Sequence, residues 1–205
     1  GGDAPETTYG YWDFVAATSY TSGNGWNPGI GRVNCIAFHP TIANYILIGT
    51  PSGGLWKTTN GGSSWECLTD GMPSIGVSGI AWPITNTIYI LTGDGDGGDT
   101  QSIGVMKTTD GGETWNQTGL QWNVTDFEKG YKLALHPTNN NILFAVTTDG
   151  IYKTTNGAIS WYQVQSGSFR DLEFKPYDPT VMYAGTSSTF YRSTDSGENW
   201  TVVSS

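Results

Sequence analysis

Asp94, Asp96 and Asp99 crowd three carboxylates into the glycine-rich run Gly93–Ser102. Carboxylates this close repel one another unless they are hydrated, neutralised or bound to a cation. The intervening glycines let the chain fold around an ion, and Ca²⁺ accepts carboxylates, carbonyls and water as ligands. The three aspartates are therefore candidate Ca²⁺ ligands, although the spacing is not that of an EF-hand. A solvated acidic loop, or aspartates capping their own turns, accounts for the same residues. A second group lies in Gly119–Gly130, where Trp122 and Phe127 stand beside Asp126 and Glu128. Aromatic rings with neighbouring carboxylates can stack on and hydrogen-bond a sugar, or else the rings pack beneath their own loop.

Other chemistry is poorly supplied. The only histidines, His39 and His136, each precede a proline, at a position filled elsewhere by Trp82 and Lys175. A position so varied reads as structural, not as a catalytic or metal-binding pair. Three arginines, Arg32, Arg170 and Arg192, are few for clamping an acidic sugar. The net charge of −9 lacks the basic footprint that nucleic-acid binding needs. No run of about 18 apolar residues is present to insert into a membrane. The start, Gly1 to Pro5, has no basic and apolar leader, and reads as a mature or trimmed end.

One pattern, written four times, must position these loops. It reads Thr58-Thr59-Asn60-Gly61-Gly62-Ser63-Ser64-Trp65, and returns at Thr108–Trp115, Thr154–Trp161 and Ser193–Trp200. A unit recurring every 40 to 50 residues or so signals stacked supersecondary units. Each unit carries four strand signals, A to D, giving units 33–68, 77–118, 131–164 and 169–203, with 1–32 as a lead segment. Within that lead, Tyr11–Thr18 reads as a strand or closing segment and Thr21–Gly31 as a loop. Asn60-Gly61, Asp110-Gly111 and Asn156-Gly157 read as type I′ hairpin dipeptides between strands C and D. Pro40, Pro83, Pro137 and Pro176 follow strand A and should end it.

Four-stranded antiparallel units in series predict an all-β fold, a β-propeller of four visible blades, with strand A at the axis. A β-sandwich would leave the four equivalent tryptophans unexplained. Cys35 and Cys67 fall on strands A and D of one blade, about 14 Å apart by strand spacing. A disulfide needs Cα atoms within about 7 Å, so both thiols should be free.

The eight-residue pattern resembles the Asp-box, or BNR repeat, Ser/Thr-x-Asp-x-Gly-x-x-Trp. Copies two and four match fully; copies one and three carry Asn60 and Asn156 for Asp, and copy three Ala158 for Gly. Ala37–Pro40, Gly53–Lys57 and Gly93–Asp99 look most like secreted bacterial proteins of this family and its xyloglucanase type. The resemblance implies that the box itself is structural. It also implies that a hydrolase of this type carries a catalytic acid in a B–C loop pattern Thr-Asp-x-Gly-Gly and uses two propellers. Here Pro51 stands where that acid would be, in Thr50-Pro51-Ser52-Gly53-Gly54.

In an up-and-down blade the B–C and D–A loops share one face, and function sits on such irregular loops. The resulting expectation is an extracellular binding module with a carbohydrate or protein ligand on that face. The alternatives are a fragment of a glycoside hydrolase, whose carboxylate pair would include Asp94 or Asp149, and a subunit that joins further blades or copies of itself.

Overall fold

The computed structural model describes residues 32–74 and 76–204. The blades lie in the unit that follows residue 30. The expected strand at Tyr11–Thr18 and loop at Thr21–Gly31 lie outside the described residues.

Among the described residues, sixteen strands form four antiparallel sheets, each in simple sequence order. The first holds β1 (Cys35–Phe38), β2 (Ile46–Gly49), β3 (Leu55–Thr58) and β4 (Glu66–Cys67). The second holds β5 (Val77–Ile84), β6 (Thr87–Thr92), β7 (Gly104–Thr108) and β8 (Asn116–Gln121). The third holds β9 (Gly130–Leu135), β10 (Leu143–Thr147), β11 (Gly150–Thr154) and β12 (Tyr162–Ser166). The fourth holds β13 (Asp171–Lys175), β14 (Asp178–Gly185), β15 (Phe190–Ser193) and β16 (Thr201–Val202). These are the blades of a β-propeller. The innermost strands stand side by side, β1 by β5, β5 by β9 and β9 by β13. Among the described residues β13 has no comparable contact with β1.

Period-two alternation builds the core between blades. Leu47 and Leu55 meet Val77, Trp82, Ile88 and Ile90 across the first junction. Tyr89, Leu91 and Val105 meet Leu133, Leu143 and Ala145 across the second. Phe144, Val146 and Ile151 meet Leu172, Met182 and Ala184 across the third. Each sheet thus buries its faces only through its neighbours.

The repeated turn between strands C and D is held the same way in every blade. The hydroxyls of Thr58, Thr108, Thr154 and Ser193 accept the amides of Gly62, Gly112, Ala158 and Gly197, at 3.0 to 3.1 Å. They donate to Asn60, Asp110, Asn156 and Asp195, whose Oδ1 atoms accept the amides of Ser64, Thr114, Ser160 and Asn199. Asn and Asp are interchangeable in this role because only one oxygen is required.

The left-handed pair falls one residue later than the dipeptides suggest. Positive φ occurs at Gly61 and Gly62, Gly111 and Gly112, Gly157 and Ala158, and Ser196 and Gly197, whereas Asn60, Asp110 and Asn156 are not left-handed. The Asn or Asp is an acceptor at the mouth of the turn and not the first residue of a type I′ pair. Pro83 also departs from expectation, lying inside β5 instead of after it. The register slips between Ala81 and Ile84, so no ladder amide is needed at the proline. Cys35 and Cys67 are unpaired, as strand spacing requires. Burial pushes the Cys35 thiol up to about 12.

Candidate functional site

The B–C and D–A loops interlock on one face. The Ser102 amide donates to the Glu128 carbonyl, the Thr148 amide to the Lys129 carbonyl, and the Thr100 hydroxyl to the Pro51 carbonyl. Thr92 and Thr147 end strand B, Thr50 and Thr186 immediately follow it, and each hydroxyl organises the loop beyond. Thr147 Oγ1, for example, accepts the amides of Asp149 and Gly150.

Near the axis the acidic loop closes on Arg32. The Asp94 side chain is fully buried. Arg32 Nη2 lies 2.5 Å from Asp94 Oδ2 and 3.7 Å from Asp99 Oδ2, and Nη1 lies 3.1 Å from Asp96 Oδ2. Asp94 also accepts the amides of Asp96, Gly97 and Asp99, and the side-chain amide of Asn34. Burial alone would raise the Asp94 carboxyl. The Asp99 amide and the Arg32 guanidinium outweigh it and hold the group below its ordinary range. Asp96 and Asp99 point more toward solvent.

The three aspartates named as candidate Ca²⁺ ligands thus converge on a guanidinium. Among the described residues no group of three or more His, Cys, Asp or Glu side chains is arranged to hold a metal ion. A cation at Asp94 would have to displace Arg32. The pair borders a cleft of about 220 Å³ that Asn34, Ser78 and Tyr131 also line. The Tyr131 ring carries the Arg170 guanidinium over one face, 4.4 Å from its centroid.

Farther out, the structure separates the four residues named as a sugar site. Strand β8 runs on to Gln121, so the connecting loop begins only at Trp122. Trp122 is half-buried and packs edge-on against Tyr152, ring centroids 5.8 Å apart. Asp126 accepts the Asn123 amide at 2.8 Å and closes the 3-10 turn Val124–Asp126. Phe127 follows in a left-handed conformation with 71% of its surface exposed. Glu128 accepts the Thr148 hydroxyl at 2.6 Å.

The partners of Trp122 come from the next blade. The Tyr152 hydroxyl donates to Asp149, and Gln163 Nε2 donates to Asp149 Oδ2 at 3.1 Å. Burial, and then Asp149, push the Tyr152 phenol above its ordinary range, so it stays protonated as a donor. Trp122, Tyr152, Asp149 and Gln163 form a mixed aromatic and polar strip. Trp122 also borders a cleft of about 410 Å³ with Pro73, Ile103 and Val124.

Arg32, Tyr152 and Gln163 carry no site signal in the sequence. Arg32 falls in the lead segment, adjoining the first repeat. Tyr152 and Gln163 sit within strands, where nothing in their spacing points to Trp122. Both histidines bond to the turns that follow them. His39 Nδ1 accepts the amides of Thr41 and Ile42, and His136 Nδ1 accepts that of Thr138. Pro51 is buried in the first B–C loop and supplies only its carbonyl.

No protein-family model matches the chain. A xyloglucanase of Hypocrea jecorina (strain QM6a) is 27% identical over 159 residues, covering 70% of this chain and 18% of that protein. The xyloglucanase Xgh74A of Acetivibrio thermocellus is 28% identical over 169 residues, covering 76% and 19%. Among solved structures, an ancestral GH74 enzyme superposes with a TM-score of 0.70 at 21% identity, covering 85% of this chain and 24% of that one. That likeness concerns the fold. The chain is therefore a β-propeller portion whose relatives in sequence are xyloglucanases. It spans less than a fifth of the length of the curated relatives it matches. Among the described residues no helix is long and apolar enough to cross a membrane.

Proposed function

We propose that the chain is a segment of a secreted glycoside hydrolase of the xyloglucanase type, and that its B–C/D–A face forms one wall of a glycan-binding cleft. The observation that carries this reading is the similarity to xyloglucanases along 70 to 76% of the chain. It favours a hydrolase portion over the free-standing binding module that the loops alone suggest. The eight-residue turns fit the Asp-box resemblance and act as scaffold. Trp122 and the exposed Phe127 offer apolar surface to a sugar ring, while Asp149 and Gln163 offer hydrogen bonds to hydroxyls.

These blades are a poor source of both catalytic carboxylates. Glycoside hydrolysis uses one carboxyl group as acid and a second as base or nucleophile. Asp94 is buried and held ionised by Arg32 and three amides, so it is unfit to deliver a proton. Pro51 occupies the position at which the resemblance calls for an acid. Asp149 remains the exposed candidate, and its partner would come from another part of a longer protein.

The test is calorimetry with xyloglucan oligosaccharides on this chain, alongside a reducing-end assay on the same samples. Binding without sugar release is the expected result. Absence of binding to xyloglucan and related β-glucans would remove the loop-face assignment. Sugar release by the chain alone would show that both carboxylates lie within it.

A further inference from the structure

Two of the four C–D turns carry Asn-Gly, the dipeptide in which asparagine is chemically least durable. Glycine has no side chain to hinder its amide nitrogen, which therefore reaches the preceding carboxamide readily. On losing its proton that nitrogen attacks Cγ. The new N–C bond closes a succinimide ring, and the carboxamide nitrogen takes up the proton and leaves as ammonia. Water then opens the ring at either carbonyl, giving aspartate or isoaspartate. Asn60-Gly61 and Asn156-Gly157 are such pairs, and both asparagines are exposed to the water the reaction consumes.

The turn ties up both reacting groups. The Gly61 amide donates to the Asn44 carbonyl at 3.0 Å, and the Gly157 amide to the Asn141 carbonyl at 2.9 Å. A nitrogen bonded in this way is slow to give up its proton and points at the A–B connection. The carboxamide is held as firmly. Asn60 Oδ1 accepts the Thr58 hydroxyl and the Ser64 amide, and Nδ2 donates to Ser64 Oγ, all at 2.9 Å. Thr154 and Ser160 bind Asn156 in the same way. Swinging Cγ onto the glycine nitrogen breaks these bonds. At Asn156 the preceding blade adds a further restraint, because Tyr89 Oη and Lys107 Nζ both donate to the Gly157 carbonyl at 3.3 Å.

We infer that Asn60 and Asn156 are modification sites that the fold keeps latent. Each deamidates only when its own turn opens, and the product then records that opening in the covalent structure. Opening one turn gives up four hydrogen bonds, so the folded rate should lie about a hundredfold or more below that of the unfolded chain. An aspartate product is tolerated, since Asp110 and Asp195 fill the same place in the other two turns. Isoaspartate adds a carbon to the main chain and carries the left-handed pair away from the Thr58 or Thr154 hydroxyl, so the turn cannot re-form. None of these residues belongs to the loop face.

The test is peptide mapping of the 205-residue chain incubated in mildly alkaline buffer, with and without denaturing urea. Asn24-Gly25 lies outside the described residues and is followed as a separate peptide. In buffer, Asn60 and Asn156 should deamidate about a hundredfold more slowly than in urea, with Asn156 the slower of the two. Thr58→Val should speed Asn60 about tenfold and leave Asn156 unchanged. Thr58→Ser, which copies Ser193 of the fourth turn, should restore the slow rate. Circular dichroism checks folding. If Thr58→Val unfolds, Ser64→Ala takes its place, removing the hydroxyl that accepts from Asn60 Nδ2, with a severalfold rise expected at Asn60 alone. Equal rates in buffer and urea, an Asn60 rate unmoved in the folded variant, or equal acceleration at Asn60 and Asn156 would each overturn the inference.

Discussion

At the turn end of the blades the same hydrogen bonds recur four times, each joining groups of a single turn. At the loop end no two blades are alike, and the side chains cross from blade to blade. Arg32, before the first blade, holds Asp94 of the second. Glu128, after the second blade, holds Thr148 of the third. Trp122 packs on Tyr152. Repetition at one end frees the other to vary, because a turn closed by local bonds keeps the strands in register whatever the opposite loops contain. Variation concentrated on a rigid scaffold is where a ligand site is expected.

The largest test of this contrast is Asp94→Ala. It strips a buried acceptor from Arg32, Asn34 and three amides, and should cost about 3 kcal/mol in denaturant unfolding, as for one half of a buried ion pair. Added Ca²⁺ should leave the wild-type midpoint unchanged. A rise of several degrees would show that the aspartates hold a cation instead of Arg32.

At the turn end the expected losses are smaller and uniform. Thr154→Val keeps the shape but orphans the buried Ala158 amide, and should cost about 1–2 kcal/mol. Thr108→Val should cost a similar amount. Widely different values would show that the four turns are not equivalent in energy.

The turns should also divide by pH. Asp195 is held at about 2 by the Asn199 side chain, then by the Asn199 amide and Ser193. The hydroxyls of Thr108 and Thr114, and then the Thr114 amide, hold Asp110 below its usual range. A depressed carboxylate stabilises the fold above its unfolded value, near pH 3.9, and that contribution is lost as pH falls toward the folded value. Unfolding midpoints should therefore drop between about pH 4 and pH 2. Asp110→Asn should blunt the fall at little cost, since the Thr114 hydroxyl can accept instead of donate. Asp195→Asn should likewise blunt the fall at little cost, since the Asn199 side-chain amide can turn to present its oxygen to the new amide.

The smallest effect on stability belongs to Phe127→Ala, within about 0.5 kcal/mol for so exposed a ring. Its affinity for a xyloglucan oligosaccharide should nonetheless fall by up to about tenfold, the worth of one aromatic contact. Unchanged affinity would move the sugar off this loop and toward Trp122 and Tyr152.

The sequence alone determined the blades. Period-two alternation, the four Ser/Thr-to-Trp patterns and the distance between free cysteines are local or periodic properties, and the strands lie where they put them. It also showed which loops were irregular. Only the tertiary structure decided what those loops do. Asp94 and Arg32 are 62 positions apart, and Trp122 meets Tyr152 across a junction between blades. No spacing encodes either pairing. The offset of the left-handed residues escaped for a related reason. Asn-Gly is compatible with two turn geometries, and the Thr hydroxyl two residues before each Asn selects the later one by claiming the Gly62 and Ala158 amides. Repeats dictate register because the same bonds recur in each unit, whereas a site depends on which loops the packing of the blades brings together.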